Sequence, residues 1–217
     1  MFIGHYGASF AAKKITPSVS LAVLFLAVQW LDVGWSVLVL LGVEKLRIVP
    51  GFTATNPLDL YYMPFTHSLV AALLWSAGTM VAYRFGFRGA DWKSGAIVGA
   101  AVFSHWVFDL LVHVPDLPLY DNTAKIGLGL WNFPVIAFGL EVLFLFGGLW
   151  WYFGTGVRRR LGFIVFGVVM FAVQASVFFG PPPQSPKAAA VMAIVAYVVF
   201  AIVIHVLERR ARPPRPA

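Results

Sequence analysis

Six long apolar runs dominate this chain, at about 18–43, 63–83, 94–114, 132–153, 161–180 and 188–207. Each is near the roughly 20 residues that a helix needs to cross the hydrocarbon of a bilayer. In lipid, backbone N–H and C=O groups must be satisfied within the segment, and runs of this length do so as helices. A soluble core has no use for so much apolar surface: 60% of the 217 residues are hydrophobic and only 12% are charged, against about 25% charged in soluble domains. The expected fold class is an all-α integral membrane protein. Its bundle of about six transmembrane helices forms one domain, with residues 1–16 as an N-terminal arm.

Helix punctuation agrees with these limits. Pro17 opens the first span, Pro64 and Pro134 fall in the first turns of the second and fourth, and Gly180 followed by three prolines ends the fifth. The arm, MFIGHYGASFAAKK, is not a secretory signal, because its lysines follow the apolar part and no cleavage site precedes the first long run. With six spans, twelve of the sixteen Lys and Arg fall on one side, and only Lys45, Arg47, Lys125 and Lys187 on the other. The positive-inside rule then places both termini in the cytoplasm of a bacterial inner membrane. The net charge of +7 is spread in short clusters between spans, which suits orientation in a lipid bilayer and not nucleic-acid binding. Cysteine is absent, so there is no disulfide framework and no thiolate metal site.

Against this background three acids stand out. Asp32 in QWLDVGW, Asp109 in SHWVFDLL and Glu141 in FGLEVLFLF lie inside spans, whereas every Lys and Arg lies outside them. A lone carboxylate at that depth costs several kcal/mol unless it is paired or protonated. What the spans offer instead is imidazole: His67, His105, and His113 near a helix end. Carboxylates and imidazoles without Lys or Arg form a ligand set for a divalent metal, whose charge offsets the acids. At about 1.5 Å per residue, these groups from four helices fall ~6–16 Å below one surface. His105 and Asp109, four residues apart, point down one helix face. The expected metal ligands are therefore Asp32, His67, His105 and Asp109, with His113, at the helix end before Pro115, as a further ligand, a group that orients one, or an interfacial residue.

Single intramembrane acids also serve as protonated helix-packing groups, and Gln29 and Gln174 read as helix-to-helix hydrogen bonders. His205, beside Glu208 and Arg209, reads as interfacial. The arm either lies on the membrane surface or dips inward, and eight helical residues would lift His5 by ~12 Å toward Asp32.

GHYGASFAAKK, LAVQWLD, PFTHS, SHWVFDLLVHVPDLP, GLGLWN and the intramembrane Glu141 together resemble bacterial integral-membrane proteins grouped as membrane-bound metal-dependent hydrolases. That family is in turn distantly similar to the zinc-dependent phospholipases C. The resemblance implies a ligand order of His5, Asp32, His67 and the H-x3-D pair His105 and Asp109. It departs from the soluble enzymes at Glu141, which has Ala137 and not histidine four residues before it, so one or two ions are expected and not three.

The chemistry that follows is hydrolysis of an amphiphilic, lipid-like phosphoester or ester by a metal-activated water, with zinc or manganese as the ion and Glu141 or Asp116 as general base. The long connections around 43–62 and 115–132 would fold over the site. The rival is a metal- or proton-coupled transporter, since intramembrane acids and histidines also build ion pathways.

Overall fold

A computed structural model describes residues 1–157 and 159–211. Arg158, Arg212 and Arg215, counted above among the basic residues, lie outside them. The chain is an all-α membrane bundle. Its helices are α1 (His5–Ile15), α2 (Leu21–Val28), α3 (Trp30–Leu40), α4 (Leu69–Gly86), α5 (Trp92–Val112), α6 (Pro134–Phe153), α7 (Arg160–Phe179) and α8 (Pro186–Ala211). Between α3 and α4, strand β1 (Lys45–Ile48) pairs antiparallel with β2 (Leu58–Tyr62). Helices α4 to α8 are each long and apolar enough to cross a membrane, and α2 with α3 makes a sixth span only as a pair bent by 55°.

That bend corrects the expectation of one continuous first span. Gln29 sits at the joint with φ −108° and ψ 8°, and its Nε2 donates to the Phe2 carbonyl at 3.0 Å. A carbonyl that would continue the helical ladder is thereby free to serve a side chain, and Asp32 falls in the first turn of α3, where the helix dipole favours an anion. The second span is corrected too. Residues 63–68 form a turn, and α4 begins only at Leu69 because Ser68 caps it: its Oγ accepts from Ala71 N at 3.1 Å and donates to the Pro64 carbonyl at 2.7 Å. His67 therefore stands on a turn and not on a helix.

The arm does not lie on the surface. Helix α1 runs through the middle of the bundle, packed along α6 and against α2 and α5, and Ile3, His5 and Tyr6 are fully buried. Glycine makes this possible. A Cβ on Gly7 would stand 2.1 Å from the Phe144 carbonyl oxygen, and one on Gly148 would stand 2.3 Å from the Gly7 oxygen. Backbone contact of this kind is how helices gain van der Waals attraction where lipid removes the hydrophobic drive between them.

The other end of α1 is tied by a charge. Lys13 Nζ donates to the Pro17 and Val19 carbonyls at 2.7 and 2.6 Å and pairs with Glu208 Oε1 at 2.7 Å. Glu208 Oε2 takes the Leu21 N–H at 2.8 Å. A residue that reads as a solvent-facing lysine is thus a buried knot of α1, α2 and α8. Between this knot and the opposite end of α1, Phe10, Leu24, Phe25, Leu149 and Phe163 form a dense apolar core.

Replacing Gly7 or Gly148 by valine should force α1 and α6 apart, at a cost of about 1–3 kcal/mol or more. Thermal unfolding in detergent should show a clear fall in midpoint for either variant. Gly139→Ala, where an added Cβ meets nothing within 4 Å, should show none; equal effects at all three positions would contradict this packing.

Candidate metal centre

The bent span, the turn before α4, the C-terminal half of α5 and the buried arm each deliver donors to one place. Two overlapping groups result: His5, His105 and Asp109, and Asp32, His67 and His105, with ligand atoms in each within 4.8 Å of one another. His105 Nε2 stands 3.0 Å from Asp109 Oδ2 and 3.5 Å from Asp32 Oδ1. His67 Nε2 stands 3.2 Å from Asp32 Oδ1 and 3.7 Å from Asp109 Oδ2, and His5 Nε2 stands 3.2 Å from Asp109 Oδ1. The Met1 amino group also reaches Asp109 Oδ1, at 2.5 Å.

The rings are held so that Nε2 faces inward. His105 Nδ1 lies 2.7 Å from the Val28 carbonyl at the bend. A carbonyl only accepts, so Nδ1 carries a proton, and in the neutral ring Nε2 keeps the lone pair. His67 is held through a relay: the Thr66 hydroxyl donates to Glu44 Oε2 at 2.7 Å and so accepts from His67 Nδ1 at 2.8 Å. Glu44 Oε1 is fixed in turn by the Phe65 and Thr66 N–H groups. Burial pushes the Glu44 carboxyl up from its ordinary value, against the pull of His67 and of these hydrogen bonds. Partners that fix the tautomer of a ring and raise its basicity are the usual support of metal-bound histidine.

The acid-to-imidazole spacing suits a metal ion. Ligands about 2.0–2.1 Å from a tetrahedral centre stand about 3.3 Å apart, in the middle of the observed 3.0–3.7 Å. Among the described residues, His5 Nε2 and His105 Nε2 are buried without a hydrogen-bond partner while facing Asp109, and a neutral ring has one such nitrogen to offer a cation. His105 offers one free nitrogen to two groups, so it serves a single ion.

The remaining candidates fall into other places. Glu141 accepts from Phe2 N at 2.9 Å, Gly4 N at 2.7 Å and Gln174 Nε2 at 3.1 Å. Both of its oxygens accept from the backbone of the arm that carries His5, so Glu141 anchors that arm. Asp116 Oδ1 binds His113 Nδ1 at 2.8 Å, and Asp116 Oδ2 has no hydrogen-bond partner among the described residues. His113 is the C-cap of α5; its Nε2 is 3.6 Å from Asp109 Oδ2 and its ring centre 4.2 Å from that of Trp131. His205 is exposed, away from this cluster.

A cavity of about 750 Å³ opens onto the cluster, reaching Asp32, His67, Asp109, His113 and Glu141. Pro50, Gly51 and residues 53–58 of the first long connection line it, and of the second only Trp131 and Asn132 do. The 50–57 loop bonds to the 130–132 turn through Thr55 Oγ1 and the Trp131 carbonyl at 2.9 Å. Opposite the loops, Tyr197 donates to Asp32 Oδ2 at 2.6 Å.

Sequence reading misses Tyr197, Thr66 and Glu44. The only signal for the last two is that Thr66 precedes His67 and that an acid stands in the connection beside it. Comparison with models of protein families, with curated proteins and with solved structures finds no match for this chain.

The ring supports make a test separate from the ligands themselves. Thr66→Val, which leaves every donor atom in place, should weaken metal binding by roughly 10–100-fold in competition with a chromogenic chelator. Asp109→Ala should abolish it. Unchanged affinity in Thr66→Val would remove the relay from the account.

Proposed function

We propose that this chain is a membrane-embedded, metal-dependent hydrolase of an amphiphilic, lipid-like phosphoester or ester. The observation that carries the reading is a cavity of about 750 Å³ that ends on the His and Asp cluster and is closed beyond it. Past the cluster, His5 stacks on Phe108 with ring centres 6.0 Å apart, and Tyr6, Leu24, Phe25 and Leu145 pack at 0–1% exposure. A conducting path would need hydrated groups on both sides of the cluster. A hydrolase needs one opening.

Asp32, His67, His105 and Asp109 are the ligands in this reading, with His5 brought in by the arm. A bound divalent ion, zinc or manganese, would supply a water of lowered pKa and polarise a phosphoryl or acyl oxygen. Asp32 lines the cavity and keeps its side chain 18% exposed, which leaves that face open to substrate. His113, with Asp116 fixing its Nδ1 proton, presents Nε2 to the cavity. It takes a proton from the attacking water and returns it to the oxygen of the departing alcohol as the ester bond breaks. This assigns the general base to His113 with Asp116 behind it, and makes Glu141 the anchor of the arm.

The division of basic residues, twelve against four, supports a bacterial inner-membrane protein with the Lys13 end of α1 and the Glu208 end of α8 toward the cytoplasm and the cavity, which Met1 lines, opening on the other side. Cysteine at exposed Thr123 should react with an impermeant thiol reagent from outside and cysteine at exposed Lys93 should not. The reverse pattern inverts the bundle.

Purified protein in vesicles should cleave a long-chain nitrophenyl phosphate or ester, and a chelator should stop it. His113→Ala should keep its metal and lose roughly 10²–10⁴-fold in turnover. Glu141→Ala should instead lose metal, because the arm is released. Metal or proton flux through sealed vesicles, abolished by Asp32→Asn and without ester cleavage, would replace this reading with the transporter.

A further inference from the structure

The cavity does not stop at the loops. It continues between α7 and α8, where Val173 and Val177 of the first face Ala189, Met192, Ala193 and Ala196 of the second. Consecutive antiparallel helices joined by a short link ordinarily pack along their length. Here α8 packs on α2 and α3, and α7 leans on α6, so the pair is splayed.

The link explains the splay. Gly180 is extended, with φ −87° and ψ 179°, and Pro181, Pro182 and Pro183 follow it along the cavity rim. A proline run is a semi-rigid spacer of about 3.1 Å per residue, so three prolines with their flanks hold the two helix ends apart where a tight turn would draw them together. Alanine at 189, 193 and 196 lies on one face of α8, at helical spacings of four and three, and keeps that wall shallow. Next on the same face comes Tyr197, which holds Asp32. The slot therefore runs ~12 Å along α8 from Ala189 to the metal ligands.

We infer that this slot is a lateral portal through which a single hydrocarbon tail of a bilayer lipid enters, laying its polar junction on the metal cluster. The inference rests on the proposed hydrolase and names how its substrate arrives. Three observations carry it. The slot is continuous with the ligands at one end. At the other it opens between Val177 and Met192, 52% and 63% exposed, on helices of mean hydropathy 2.3 and 2.8 that hydrocarbon must surround. Along α7 and α8 its described lining contains no charged side chain, as suits a hydrocarbon tail, whereas Thr53, Asn56 and Asn132 at the loop end offer polar partners for a headgroup.

The absence of cysteine from the chain makes the test direct. Ala193→Cys carrying a maleimide-benzophenone is irradiated in vesicles of a single phosphatidylcholine, with Ala190→Cys, buried against packed side chains, as comparison. Lipid adducts at 193 and not at 190, seen by mass spectrometry, are expected. No adduct at 193 overturns the portal whether or not the protein hydrolyses anything. In a second arm, Ala193→Trp, checked for retained metal, should lower the ratio of long-chain to short-chain nitrophenyl phosphate turnover by roughly tenfold or more, and an unaltered ratio overturns the portal. Adducts at 193 with no turnover of either ester would leave the portal standing and count against the hydrolase.

Discussion

Two carboxylates held in a low dielectric must be neutralised: Asp109 is met by the Met1 amino group and by imidazole, and Asp32 by imidazole and the Tyr197 hydroxyl. That requirement organises the structure around them. The break between α2 and α3 turns the Val28 carbonyl toward His105 and sets Asp32 at a helix N-terminus. The Ser68 cap delays α4 so that His67 stands on a turn, where its ring can reach Thr66 and, through it, Glu44. Each departure from a plain spanning helix brings a donor, or the partner of a donor, to the acids.

The arm shows how such a site is supported from a distance. His5 arrives only because α1 fits between its neighbours, and it fits because Gly7 and Gly148 allow backbone to touch backbone. Glu141 anchors one end of the arm by its backbone N–H groups and the Lys13–Glu208 pair fixes the other. Breaking one partner of a buried pair leaves the other charge uncompensated. The fold near the Lys13 end and the ligand geometry some distance away are therefore mechanically linked through a single helix.

Much of this was legible in the sequence. The apolar runs revealed the bundle, and acids without Lys or Arg at the same depth pointed to Asp32, His67, His105 and Asp109, which the structure divides between two groups that share His105. The bend at Gln29 was not legible, because LAVQWLD has the composition of an unbroken span and nothing local demands the break. Nor was the dip of the arm settled, since its depth depends on glycine contacts with a helix more than a hundred residues away. In the sequence Glu141 looks like a spare base, because sequence shows an acid without its partners. Those partners are the backbone N–H groups of Phe2 and Gly4, which no pattern of side chains announces. Tyr197 was hidden for a similar reason, as one aromatic among many in an apolar helix.

The central claim is that imidazole and carboxylate from the bend, the turn, α5 and the arm hold a divalent ion. X-ray absorption on the purified, metal-loaded protein tests it most directly. The account predicts about four nitrogen and oxygen neighbours at roughly 2.0–2.2 Å with an imidazole scattering pattern, and loss of that pattern in the His67→Ala and His105→Ala proteins. A protein that purifies without metal and takes up neither zinc nor manganese, or whose bound ion keeps the same surroundings in both variants, would contradict it.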